Sequence, residues 1–145
     1  MRRLNEARAN GAVCGLAGGL TAAPPVRWNA SLEAAALTQS EEMALLGRMG
    51  HRDRLNRGLT ERLTATGYRF SSAVENVAVG YPSVDAVVDA WLKSEGHCEN
   101  LMNRAALELG LACIDGGSLN DANSADEIGG RRYWTLVLGA PRRAR

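Results

Sequence analysis

Residues 72–80, SAVENVAVG, and residues 83–103, SVDAVVDAWLKSEGHCENLMN, decide the fold of this chain. The near alternation and the valines of the first segment predict a β-strand. In the second segment, apolar residues recur every three or four positions, which predicts a helix that Ser83 opens and Gly96 ends. The chain therefore places a strand directly before a helix, with polar residues at the end of that helix.

Glu75 is the unusual member of the predicted strand. It shares a face with Val77 and Val79, because side chains two positions apart point the same way along a strand. A carboxylate among valines needs a partner or a place at the rim of a pocket.

Three further helices are expected before residue 72. The first covers residues 4–10 and the third covers residues 60–65. The second is a helix of about four turns that Ser31 caps, with Trp28 packed across its first turn. Residues 15–27 are expected to form a loop, because their glycines and two adjacent prolines cannot sustain a helix.

The C-terminal third predicts a β-hairpin. Residues 107–113 alternate strictly, residues 133–139 are strongly apolar, and residues 116–130 between them are rich in Gly, Asn and Asp. Helices first and a hairpin last indicate the α+β class, in one domain that spans residues 1–145.

Composition limits the function classes. With 145 residues, 46% hydrophobic and 23% charged, the chain is expected to be globular, and its net charge of +1 indicates neither a nucleic-acid nor an anionic-membrane partner. No apolar run is long enough for a transmembrane helix. The first residues are basic but lack the apolar stretch of a signal peptide, which taken alone favours the cytoplasm. We expect a monomer.

The three cysteines, Cys14, Cys98 and Cys113, form no CxxC pair, so metal binding by cysteine is not expected. Their number permits one disulfide with one thiol, or three thiols in a reducing compartment. Spacing does not choose between these alternatives.

The two histidines each follow a glycine at an expected helix end, as Gly50-His51 and Gly96-His97. If Glu95 and His97 share an extended turn, both point at one place, and with His51 and Glu75 they make a donor set for a divalent metal such as zinc. The same groups suit general acid-base chemistry, and each Gly-His pair also fits an ordinary turn. No HExxH, GxSxG or phosphate-binding loop supports an enzyme.

Several motifs together resemble the CAP superfamily, the SCP-like proteins related to cysteine-rich secretory and pathogenesis-related proteins, in its short bacterial branch. They cover almost the whole chain: LNEARANG, APPVRWNASLEAAALTQSEEMA, GH at 50–51, AVENVAVG, VVDAWLKSEGHCENLMN, ELGLAC and YWTLVLGAP. The resemblance implies an α-β-α sandwich with a small, mainly antiparallel sheet between helical layers. It also implies an extracellular or periplasmic protein, against the indication from the N-terminus.

The resemblance further implies a cleft with two histidines and two glutamates, which binds zinc in some members. Carried over by position, these are His51, Glu75 and His97, with Glu95 as the remaining candidate. Glu95 departs from the bacterial pattern, which often has proline there, and the loop RDRLNRG after His51 is more basic than is usual.

The same likeness implies a Cys14–Cys98 disulfide, which leaves Cys113 as a buried thiol on a strand.

Three functions stay open. The cleft binds a metal together with a lipid-like or protein ligand, without catalysis; it is a metal-assisted hydrolase, for instance a protease or a cell-wall enzyme; or its His and Glu side chains are purely structural. The first is preferred, because no nucleophile motif is present.

Overall fold

The computed structural model describes residues 1–116 and 131–142. Within these ranges the chain forms five α-helices, six β-strands and one short 3-10 helix at Gly15–Ala17. The helices are α1 Arg2–Asn10, α2 Ala30–Leu46, α3 Leu59–Ala65, α4 Val84–Leu92 and α5 Glu95–Leu101. The strands are β1 Ala12–Val13, β2 Gly19–Leu20, β3 Arg27–Trp28, β4 Phe70–Val79, β5 Glu108–Gly116 and β6 Arg131–Pro141.

The main sheet has four strands in the order β3-β5-β6-β4. β6 pairs antiparallel with both β5 and β4, whereas β3 adds two residues in parallel to β5. The predicted antiparallel pairing of the last two long strands is confirmed. The predicted loop between them lies, apart from Gly116, outside the described residues.

Helices cover both faces of this sheet, as the α-β-α sandwich requires. One core lies under α1, α4 and α5 and includes Trp91, Leu101 and Leu138, and the other lies under α2 and α3 and includes Leu32 and Leu63. Alternate residues of each strand therefore enter different cores. The α+β class is confirmed.

The long helix α2 packs unusually close to the sheet at Gly110. A β-carbon built on Gly110 would lie 2.0 Å from the backbone nitrogen of Glu33. Only a residue without a side chain allows this approach, so Gly110 determines how deeply α2 sits.

β4 is an edge strand, and side chains from the helices cover its free edge. The indole nitrogen of Trp91 donates to the Val77 carbonyl at 3.1 Å, and Asn100 Nδ2 donates to the Glu75 carbonyl at 3.4 Å. Outward backbone groups that would attract another strand are thereby satisfied. Side chains of α4 and α5 therefore cover this edge of the sheet.

Local predictions for the N-terminal half need two corrections. Asn29, not Ser31, caps α2, because its side chain accepts hydrogen bonds from the backbone nitrogens of Ser31 and Leu32. Trp28 does contact the first turn of α2, but through a hydrogen bond: its ring is partly exposed, and the indole nitrogen donates to Glu33 at 2.9 Å. Residues 15–27 are not loop throughout, since they contain the 3-10 helix, β2 and the start of β3.

A third correction matters for function. The helix that Ser83 caps ends at Leu92, and Gly96 lies inside a separate helix, α5. Glycine is a weak helix breaker, and the packing of α5 on β4 overrides that preference. Glu95 and His97 are thus helical residues rather than members of an extended turn.

Two buried features hold the N-terminal segment to the rest. The Cys14–Cys98 disulfide joins the segment after β1 to α5, as predicted, with a Cα–Cα distance of 5.4 Å. Arg8 is fully buried, and its guanidinium donates to the carbonyl oxygens of Pro24, Leu101, Asn103 and Ala106. Cys113 is the free thiol, but it is half-buried on β5 rather than fully buried.

Among the described helices, no segment combines the length and the apolar character needed to cross a membrane.

Candidate functional site

The candidate site lies at the free edge of β4. Glu75 projects from β4 toward the α2 and α3 layer, and the neighbouring Asn76 projects toward α5. A groove of about 330 Å³ follows this edge, between the segment that begins at His51 and the helix residue Asn100. The site therefore draws on both helical layers.

His51 and Glu75 are in direct contact. His51 Nδ1 lies 2.9 Å from Glu75 Oε1, and the second oxygen, Oε2, accepts a hydrogen bond of 2.6 Å from Arg62. The side chains of Glu75 and Arg62 are each only 4% exposed, whereas that of His51 is 58% exposed. The arrangement is a buried ion pair that orients an accessible imidazole.

Arg62 also organises the chain around the imidazole. Its guanidinium donates to the carbonyl oxygens of Ala35 and His51, and the Gln39 side chain donates to the Gly50 carbonyl at 2.7 Å. The turn that carries His51 is therefore held by side chains from α2 and α3. Gly47, in a left-handed conformation at the end of α2, starts that turn.

His97 reaches the same edge from α5. Its carbonyl oxygen accepts a hydrogen bond of 3.0 Å from Asn76, and Asn76 in turn accepts one from Asn100 at 2.9 Å. The imidazole Nδ1 lies 3.0 Å from the hydroxyl oxygen of Ser94. In both histidines Nδ1 is therefore engaged, and Nε2 has no hydrogen-bond partner among the described residues.

Ser94 and His97 form a hydroxyl-imidazole pair, but not a catalytic triad. Within the described residues, His97 has no carboxylate hydrogen-bonded to its ring, and His51 has no hydroxyl partner. The acid-base-nucleophile chain that activates a serine is therefore not assembled by these residues.

The two imidazoles have opposite pKa shifts. The hydrogen bond to Glu75 raises the pKa of His51 above 6.5, although burial and the charge of Arg62 oppose it. Burial lowers the pKa of His97 below 6.5, and the charge of His51 lowers it further. At neutral pH, His97 is the better lone-pair donor, and His51 is the stronger base.

Glu95 lies apart from the other three predicted residues. Its carboxylate rests against the backbone of Gly15, where an added β-carbon would come within 3.1 Å of Oε2. Residues two positions apart on a helix point in very different directions, so Glu95 and His97 cannot aim at one place from α5. In the region described by the structure, Glu95 has no hydrogen bond to His51, Glu75 or His97.

The predicted four-residue metal site is not assembled as such. Residues 1–116 and 131–142 contain no group of three or more His, Cys, Asp or Glu side chains placed to hold a metal ion. Both oxygens of Glu75 are already used by His51 and Arg62. The direct nitrogen donors that remain are Nε2 of His51 and Nε2 of His97, so metal binding stays a prediction.

Sequence reasoning missed Arg62 and Asn100. The signal for Arg62 was its position between Leu59 and Leu63, on the apolar face of a predicted helix, where an unpaired guanidinium would be costly. Asn100 carried no such signal, because asparagine is common near helix ends.

The fold agrees with comparisons to known proteins. The model of the cysteine-rich secretory protein family, CAP, matches residues 1–138. The chain belongs to this family. The resemblance inferred from the motifs is confirmed.

Two curated proteins that this chain resembles are bacterial and longer than this chain. The uncharacterized protein YkwD of Bacillus subtilis (strain 168) is 26% identical over 66% of this chain and 37% of its own length. The uncharacterized membrane protein YlbC of the same strain is 31% identical over 59% of this chain and 25% of its own. The chain thus spans between a quarter and two fifths of these relatives.

Solved CAP-like structures share the fold at low identity. An extracellular protein with an SCP domain from Bacillus anthracis str. Ames has a TM-score of 0.67 and 24% identity, over 81% of this chain and 34% of that one. An outer surface protein of Borrelia burgdorferi has a TM-score of 0.68 and 18% identity, over 83% of this chain and 80% of that one. The first of these proteins is described as extracellular, and the Cys14–Cys98 disulfide of this chain is typical of proteins from oxidising compartments.

The opposite pKa shifts predict a distinctive titration, because the CAP chain has only two histidines. In NMR titrations with a chelator present, one imidazole should titrate above pH 6.5 and the other below it. Glu75→Gln should lower the higher pKa, and His51→Ala should raise the pKa of His97. Asp89→Asn, a change in a surface carboxylate on α4 paired with Arg3, is the control that should move neither.

The sign of the stability effect follows from the same shift. Because the folded-state pKa of His51 exceeds its unfolded value of 6.5, its stabilising contribution is fully present below that pH. The contribution is lost as the pH rises through the folded-state pKa. If both imidazoles titrated together near pH 6.5, the result would contradict the His51–Glu75 contact.

Proposed function

We propose that this CAP domain is an exported, non-catalytic binding module whose site at the β4 edge holds a divalent transition metal, most readily zinc, through Nε2 of His51 and Nε2 of His97. The observation that carries the proposal is the 2.9 Å contact between His51 Nδ1 and Glu75. A carboxylate on one ring nitrogen selects the tautomer that leaves the other nitrogen free for a metal. Glu75 then acts as an outer carboxylate and not as a ligand.

The donor set is suited to zinc chemistry. Imidazole nitrogen is a preferred zinc ligand, and a site with two protein ligands leaves positions for water or for a ligand in the groove. His97 supports this role because its lowered pKa keeps it neutral at neutral pH. A lipid-like or protein ligand would enter along the same groove, beside the exposed His51 ring.

The test is zinc titration by calorimetry at neutral pH. We expect one zinc ion per chain, with binding abolished in His51→Ala and His97→Ala. In Glu75→Gln, zinc binding should weaken by about 10- to 100-fold, the usual effect of losing an outer-shell carboxylate. Glu95→Ala is the matched control and should bind zinc like the wild type, because Glu95 lies against Gly15.

Thermal unfolding of each apo variant separates loss of metal binding from loss of fold. Absence of zinc binding by the folded wild type would overturn the proposal. A Glu95→Ala variant as defective as His51→Ala would instead restore the four-ligand site predicted from the sequence.

A further inference from the structure

Residues 45–57, which are the last two residues of α2 and most of its connection to α3, form an exposed surface beside the groove, the 45–57 segment. Of the eleven large hydrophobic residues exposed in the described chain, four lie in these thirteen positions. They are Leu45, Leu46, Met49 and Leu55. Single exposed apolar residues are ordinary, but a concentration of this kind marks an interaction surface.

The same segment is strongly basic. It contains four arginines and one aspartate, a net charge of +3, so the rest of a chain of net charge +1 carries −2. Arg54 and Arg57 have carboxylate partners, Glu42 and Asp53. Arg48 and Arg52 are exposed and form no salt bridge among the described residues, although Arg52 donates to the Asn56 carbonyl at 2.7 Å and lies near Glu61. The low overall charge therefore conceals a local concentration of positive charge.

A hydrogen-bonded turn holds Leu55 outward. The Asp53 carboxylate accepts hydrogen bonds from the backbone nitrogens of Leu55 and Arg57 and from the Arg57 guanidinium, at 2.7–2.9 Å. The Asp53 backbone nitrogen also donates to the Arg57 carbonyl. Leu55 sits at the tip of this closed turn and is 66% exposed. The turn uses its only acidic group internally and presents leucine to the solvent.

Apolar and basic side chains of the segment surround one hollow of about 440 Å³. Its apolar lining is Met43, Leu46 and Met49, and Arg48 and Arg52 also line it. Asp53, the acidic residue of the lining, is buried and paired with Arg57. The hollow is thus lined by both apolar and cationic side chains.

We propose that the 45–57 segment docks this domain on a lipid bilayer with anionic headgroups. Leu55 and Met49 enter the headgroup region, where burial of their side chains is favourable, and Arg48 and Arg52 contact phosphate groups. Charge complementarity decides for this occupant, because Arg48 and Arg52, which form no salt bridge among the described residues, line the same hollow as the apolar side chains. A second copy of the chain would bring the arginines of two segments together, which like-charge repulsion opposes.

The experiment is co-sedimentation of the full chain with large unilamellar vesicles at low ionic strength. Binding is expected to phosphatidylcholine vesicles that contain about 30% phosphatidylglycerol, and not to pure phosphatidylcholine. Arg48→Gln with Arg52→Gln should weaken binding about 30-fold, since each removed charge is worth about a factor of five at the surface. Met49→Ser with Leu55→Ser should weaken it at least about tenfold.

Matched changes elsewhere are the controls. Leu16→Ser alters a leucine that is 97% exposed, and Arg69→Gln removes an exposed arginine outside the segment. Both should bind like the wild type, and circular dichroism of all variants should match. Failure to bind anionic vesicles, equal binding to neutral ones, or equal loss in the controls would overturn the proposal. So would dimerisation in sedimentation velocity that Leu55→Ser abolishes, because the surface would then join two copies.

Discussion

Replacing Arg62 with methionine should lower the free energy of unfolding by about 3–5 kcal/mol at neutral pH. The change leaves the Glu75 carboxylate, which is 4% exposed, without the guanidinium that contacts it at 2.6 Å. Without its partner, the buried carboxylate loses the favourable Coulomb interaction but still carries the free-energy cost of its removal from water. Urea denaturation followed by circular dichroism measures the effect.

The matched double variant separates the lost pair from a packing defect. Arg62→Met with Glu75→Leu removes both charges and should recover most of the stability, because an apolar pair can replace a buried ion pair at little cost. A double variant no more stable than Arg62→Met alone would contradict this account.

Arg62→Met should also change the pH dependence. Arg62 lowers the pKa of His51, so its removal should raise that pKa further. Cationic His51 then becomes the remaining partner of Glu75, and the stability loss should be smaller at low pH than above the raised pKa. A loss that does not depend on pH would show that Arg62 acts through packing alone.

Removing the disulfide with Cys14→Ala and Cys98→Ala should destabilise the domain by about 4–5 kcal/mol. The bridge joins residues separated by 84 positions, so it removes a large loop-closure entropy from the unfolded chain. It also fixes the segment after α1 against α5, the helix that carries His97. Urea denaturation of the double variant beside the oxidised wild type measures the difference.

Cys113→Ser is the control, because Cys113 is unpaired and only half-buried on β5. It should cost much less than loss of the bridge. Intact mass of the wild type should be two hydrogens below the fully reduced formula, since one disulfide forms among the three cysteines. A wild type that is isolated fully reduced from an oxidising compartment, yet is as stable as the oxidised protein, would contradict a structural role for the bridge.

Local sequence patterns explain which parts of the fold were predictable. Val84, Val87, Val88 and Trp91 carry a helical period, and the residues of β4 and β5 alternate, so these elements follow from local patterning. The helix ends were less certain. Gly96 interrupts the sequence pattern, yet it lies inside α5, because hydrogen bonds from Asn76 and Asn100 hold that helix on β4.

The sequence by itself determined the α+β class, the hairpin, the family motifs and the two histidines as the residues worth examining. It also required a partner for Glu75, because a carboxylate on a valine-rich strand face cannot remain unpaired. Only the tertiary structure identified that partner as Arg62, separated Glu95 from the site and gathered the basic and apolar side chains of the 45–57 segment around one hollow. The physical reason is that periodicity acts within one element, whereas ion pairs and surfaces join side chains from different elements.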